Sequence, residues 1–227
     1  MDLVNEEGEV KLARARHAAF LRGGLEGLPG GFTCLDASRP WLAYWIAHSL
    51  SLLGELEEEG GGGPGGGHAA RLVSTLARAQ SAAGGFGGGP LQLAHCAPTY
   101  AAVLTLLLIG TEEAYQAIDR PKLYQWFMAM KHESGGFRMH DDGEVDVRGT
   151  YTVVAVAALL NLLTPELREG VAEFAASCQT TQGAWGRAGH GGAARGYVFC
   201  GLAALALLGR RTSPTSRPWS IGSPTAR

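Results

Sequence analysis

The stretch "ESGGFRMHDDGEVDVRGTYTVVAVAALL", residues 133 to 160, sets a loop of four glycines, five acids and two arginines directly ahead of a long apolar run. Its pattern recurs. "SAAGGFGGGPLQLAHCAPTYAAVLTLLLIG" runs from Ser81 and "TTQGAWGRAGHGGAARGYVFCGLAALALLG" from Thr180. Phe86, Phe137 and Trp185 stand 51 and 48 residues apart, and each precedes a tyrosine (Tyr100, Tyr151, Tyr197) by 14, 14 and 12 positions. A period near fifty residues is the mark of stacked repeats, in which no single unit buries its apolar face alone.

Each copy continues into a segment apolar on every side: Tyr100–Ile109, Tyr151–Leu163 and Tyr197–Leu208. Helices of that kind belong inside a fold. Between them lie amphipathic segments. Leu167, Val171, Phe174, Ala175 and Cys178 follow a helical spacing, with Glu166, Arg168, Glu169 and Glu173 on the other positions. Thr164, Pro165 and Glu166 read as an N-cap, a first-turn proline and an acid at the positive helix end, and Gly110 and Gly209 as helix stops. The architecture is therefore all-α: inner and outer helices alternate as hairpins stacked around a central axis. The glycines turn the chain from outer to inner helix. An apolar cavity rimmed by Arg148, His95 and the acids from Asp141 to Asp146 suits a ligand with an apolar tail and a charged head.

Composition narrows the partners. The 227 residues are 46% apolar, enough for a substantial core, and the net charge of −2 offers no basic stripe for nucleic acid and no attraction to an anionic membrane. No partner of the first kind and no direct membrane insertion are expected. The start "MDLVNEEGEV" lacks the basic and apolar regions of a secretory signal, so a cytoplasmic protein is expected. Cys34, Cys96, Cys178 and Cys200 show no CxxC spacing and read as buried, reduced thiols. Residues 1–13 read as a polar tail, 14–209 as the repeat domain with motifs near 81–109, 132–163 and 180–209, and 57–67 as a glycine-rich insertion. Residues 210–227, rich in Ser, Pro and Arg without helical periodicity, read as a disordered or alternative tail.

"CLDASRPWLAYWIAHSLSLL", "GGFGGGPLQLAHCAPTYAAV", "GTEEAY", "GEVDVRGTY" and "GYVFCGLAAL", taken together and in this order, closely resemble the β subunits of the protein prenyltransferases, the farnesyl enzymes in particular. The resemblance spans about Arg14 to Gly209. It implies an α/α barrel (toroid) of helical hairpins, incomplete here at the C-terminal side, and a heterodimer with a helical α subunit. It further implies transfer of a farnesyl group from farnesyl diphosphate to the cysteine of C-terminal CaaX motifs, with zinc holding the cysteine as thiolate and magnesium assisting departure of diphosphate. On this resemblance Trp41, Tyr100, Arg148, Tyr151, Gly196, Tyr197 and Cys200 line the farnesyl chain. Ser38, Trp41, Trp45, His95, Ala97, Glu144 and Arg148 lie near the CaaX peptide. Trp41 resembles the depth stop of the farnesyl enzyme.

The chemistry carries over less fully than the lipid wall. Where the family's diphosphate site has His-Gly-Gly-Tyr, this chain has Ala194, Arg195, Gly196 and Tyr197, leaving His190 or Arg195 as the anion contact. The family's zinc ligands, an Asp-x-Cys pair and a later histidine, have no counterpart, so no metal ligand is assigned and the chain is expected to be inactive alone. Other readings stay open. Trp41 and Trp45 at i and i+4 are also what a plain core helix shows. Asp141 and Asp142 suit a solvated loop, whereas Asp146 can orient Arg148. The function is then either a prenyltransferase β chain or a non-catalytic relative that binds an isoprenoid, a CaaX peptide or the α subunit. A glycosidase using Asp142 and Glu144 as its carboxylate pair is a weaker third reading.

Overall fold

In the computed structural model the described residues are 11–56, 67–180, 185 and 195–209. They divide by compactness into two units, Met1–Leu123 and Tyr124–Arg227.

The first unit builds on helices α1 (Arg14–Glu26) and α2 (Arg39–Leu52), separated by the 3-10 segment Gly30–Ser38. Pro40 suits the first turn of α2, where its missing N–H has no helical partner in any case. One side of α2 is small and buried, with Ala43, Ala47 and Leu50. Helix α3 (His68–Ala77) follows, and then α4 (Cys96–Ile109), which packs along α2 and buries Ala101, Ala102, Val103 and Leu106 completely. The chain continues through α5 (Glu112–Gln116), capped by Thr111, into α6 (Arg120–Met130), within which the boundary between the units falls.

In the second unit two short strands, β1 (Phe137–Arg138) and β2 (Val145–Asp146), pair antiparallel with Phe137 opposite Asp146. They lead into α7 (Val147–Leu159), followed by α8 (Pro165–Arg168), α9 (Val171–Ser177) and α10 (Arg195–Leu207). Phe174, Ala175, Cys178, Val147, Leu205 and Trp185 form a buried cluster. Gly201 on α10 makes room for it, since a Cβ there would sit 2.4 Å from the Trp185 ring. The indole N–H of Trp185 donates to the Ala175 carbonyl at 2.9 Å.

The repeated glycine motif has one physical task in both units. Gly84 (φ +116°) and Gly135 (φ +90°) occupy backbone conformations that L side chains avoid. A Cβ at Gly84 would lie 2.1 Å from the Lys122 carbonyl oxygen, and one at Gly135 would lie 2.1 Å from that of Gly170. Each turn is thus pressed against the backbone of a later helical segment. Isolated bridges pair Gln80 with Phe86, Lys131 with Phe137 and Gln179 with Trp185, six residues apart every time.

Several sequence expectations need correction. The apolar helices begin at Cys96, Val147 and Arg195, ahead of their tyrosines, because capping groups close the first turn directly after the loop in α4 and α7. Helix α7 stops at Leu159, before Asn161 turns the chain with φ +55°. The amphipathic run from Leu167 to Cys178 is two helices, broken at Gly170 (φ +70°), where Gly135 approaches. The Thr164 cap and the Gly110 stop hold as read. Cys34 is exposed, since nothing in the 3-10 segment is buried; Cys96 and Cys178 are buried, Cys200 is half-buried, and all four are free thiols. Helix α10 leaves Phe199, Leu202 and Leu207 exposed, whereas α4 exposes none of its large apolar side chains and α7 only Leu159 at its end. His190, residues 57–66 of the glycine-rich insertion and residues 210–227 lie outside the described residues.

Candidate functional site

Helix periodicity brings the first set of residues together. On α2, Trp41, Tyr44, Trp45 and His48 share one face at spacings of three and four, opposite the buried alanines. Trp41 lies edge-on to Tyr44 (5.5 Å between centroids, 83° between planes), 5.7 Å from Trp45 and 6.0 Å from Tyr100 of α4. Tyr44 is also 6.0 Å from Tyr100 and 4.1 Å from the His48 ring. These rings form a continuous, partly exposed apolar wall, with Trp45 the most open at 52% exposure. Ser38 stands at the N-terminal end of α2 and makes no side-chain cap there.

One turn before Tyr100, the His95 Nδ1 accepts the Ala97 N–H at 3.0 Å and closes the start of α4. That nitrogen is committed to the helix and is not offered to a metal. Burial lowers the affinity of His48 for a proton, with the Leu104 backbone opposing that shift. Its Nε2 is buried without a partner.

The second set is charged. Asp146, fully buried, caps α7: its Oδ1 accepts the N–H of Arg148 at 2.8 Å and that of Gly149 at 3.4 Å. Its Oδ2 accepts Arg148 Nε at 2.9 Å and Nη2 at 2.5 Å, while Glu144 Oε1 accepts Nη2 at 3.2 Å. The guanidinium lies over the Tyr197 ring, 5.2 Å from its centroid. Asp146 is the main reason that Arg148 binds its proton still more firmly than usual. A half-buried arginine held by two carboxylates and an aromatic face is a rigid, oriented cation whose remaining donors suit a carboxylate. Asp141 and Asp142 are exposed and stand apart from this arrangement as loop residues.

Tyr151 meets Phe199 edge-on at 5.2 Å. Gly196 is exposed in the first turn of α10, at which Arg195 begins; the Arg195 side chain is outside the described structure. Cys200 packs against the Trp185 cluster, and burial, with the Asp146 charge adding to it, pushes its thiol up to about 11. It stays protonated at neutral pH and is no nucleophile.

The sequence reading singled out Trp41, Trp45 and Tyr100 but not Tyr44 or His48. Their spacing from Trp41 was visible; their contacts with α4 were not. Among the described residues no group of three or more His, Cys, Asp or Glu side chains could hold a metal ion. No helix among them is long and apolar enough to cross a membrane.

Residues 12–220 match the family model of the prenyltransferase alpha-alpha toroid domain. The chain is 42% identical over 207 residues to a protein farnesyltransferase subunit beta of Arabidopsis thaliana, covering 91% of this chain and 42% of that protein. It is 49% identical over 173 residues to its namesake in Pisum sativum, covering 75% and 39%. It therefore spans about two fifths of the length of these relatives. A solved Candida albicans protein geranylgeranyltransferase-I complexed with GGPP superposes with a TM-score of 0.72 at 17% identity, covering 88% of this chain and 60% of that one, a likeness of fold.

Proposed function

The chain belongs to the prenyltransferase alpha-alpha toroid family, and on that premise we propose that it acts as the β-type chain of a cytoplasmic protein farnesyltransferase, paired with an α subunit. The substrates are farnesyl diphosphate and proteins ending in a CaaX motif. The peptide sulfur bonds to the first carbon of the farnesyl group as the bond from that carbon to the diphosphate oxygen breaks.

The observation that carries this reading is the aromatic wall of Trp41, Trp45 and Tyr100, at the residues that the resemblance assigns to the isoprenoid and the peptide. Rigid rings offer wide apolar contact at little entropic cost, which suits a flexible isoprenoid tail. Arg148, fixed by Asp146 and Glu144, supplies an oriented cation for a peptide carboxylate. In a second reading, this chain binds isoprenoid, peptide or α subunit without completing transfer; Ala194 and Arg195, where the resembled family has His-Gly, favour it.

The test is binding of fluorescent farnesyl and geranylgeranyl analogues to the full chain with its α subunit, before and after Trp41→Thr. The farnesyl analogue is preferred at first, and the smaller side chain shifts preference towards the longer lipid, each buried methylene contributing about 0.8 kcal/mol. Absence of binding to either lipid overturns both the catalytic and the lipid-binding reading. Transfer to a CaaX peptide in the same mixture separates the first reading from the second.

A further inference from the structure

Trp41 can gauge the length of a lipid only if its ring is held. The holding contacts come from Tyr44. It stands edge-on to Trp41 at 5.5 Å and lies 6.0 Å from Tyr100, so the three rings form a closed triangle across α2 and α4. Its far side is covered by the His48 ring at 4.1 Å. The two helices are therefore tied across the gap through their rings. Burial keeps His48 neutral, which a stack on a tyrosine between apolar helices requires, and its Nε2 is left buried without a partner. A buried polar atom without a partner is destabilising. Leucine at this position would avoid that penalty but lose the stack on Tyr44.

We propose that Tyr44, backed by His48, is a positioning residue that fixes the rotamers of Trp41 and Tyr100 and so sets the length of isoprenoid the wall accepts. This rests on the lipid-binding reading above. Removing the buttress leaves Trp41 in place but lets it swing aside for a longer chain. Each lost aromatic contact of this kind changes an equilibrium by about 0.5–1.5 kcal/mol, or roughly two- to tenfold.

The experiment measures the ratio of affinities for the two fluorescent lipids in the full chain with its α subunit, for Tyr44→Leu, His48→Gln, Tyr44→Phe and Trp41→Thr. Near-ultraviolet circular dichroism without lipid reports ring order independently. The inference expects Tyr44→Leu and His48→Gln to weaken the near-ultraviolet signal and to move the ratio several-fold towards the geranylgeranyl analogue, as Trp41→Thr does, while Tyr44→Phe stays near the unmodified ratio. If Trp41→Thr moves the ratio and both Tyr44→Leu and His48→Gln leave it unchanged, the positioning role is overturned and the lipid reading stands. If Trp41→Thr also leaves it unchanged, the lipid reading falls and the inference with it. His48→Gln keeps the test open should Tyr44→Leu fail to fold.

Discussion

The start of α4 and the start of α7 share one backbone and differ in one chemical choice. In the first, the Phe86 carbonyl accepts the His95 N–H at 3.0 Å; in the second, Phe137 pairs with Asp146 across the same nine-residue interval. Thr99 and Thr150 occupy the same place, donating to the carbonyls of His95 at 2.8 Å and Asp146 at 3.0 Å. Position five after each phenylalanine has a positive φ, +62° at Leu91 and +53° at Asp142. The cap, however, is an imidazole in one and a carboxylate in the other, and two residues later stands Ala97 or Arg148. A repeat can keep its frame through backbone hydrogen bonds while the cap alone decides whether that helix start carries an ion pair.

The largest expected effect tests the shared frame. Gly84→Ala and Gly135→Ala each force a Cβ to 2.1 Å from a carbonyl oxygen and should lower the unfolding free energy by about 3 kcal/mol. Urea unfolding that shows a large loss for one and none for the other breaks the equivalence.

The cap residues come next. Asp146→Ala removes a buried acceptor of both backbone and guanidinium donors and should destabilise by about 2 kcal/mol, whereas His95→Ala removes one cap bond and should cost about 1 kcal/mol. Equal losses in thermal melts would mean that the ion pair with Arg148 contributes nothing.

The smallest effect sits at the positive-φ position. Leucine tolerates the left-handed region poorly, and Leu91 is fully exposed, so nothing packs to compensate. Leu91→Asp, which copies Asp142, should stabilise by about 0.5–1 kcal/mol. An unchanged or lower urea midpoint would show that the two loops are not equivalent.

What was legible in the sequence was mostly local. The Thr164 cap, the Gly110 stop and the pairing of Asp146 with Arg148 all join residues within a few positions, where spacing alone decides contact. What escaped was remote. A lone glycine in "ELREGVAEFAASC" offers a place for a break, but the approach of Gly135, 35 residues earlier in the chain, is not written there. Tyr44 looked like an ordinary member of an apolar helix, because its partner Tyr100 lies on α4.

By itself, the sequence determined the helical class, the fifty-residue repeat and the positions of its turns, since glycine clusters, caps and apolar periodicity act through short-range sterics and hydrogen bonds. The tertiary structure alone decided which side of each helix stays open, how the rings of α2 meet α4, and that the Cys200 thiol is held protonated by burial. Those outcomes depend on which remote surfaces exclude water from one another, and no interval along the chain encodes that distance.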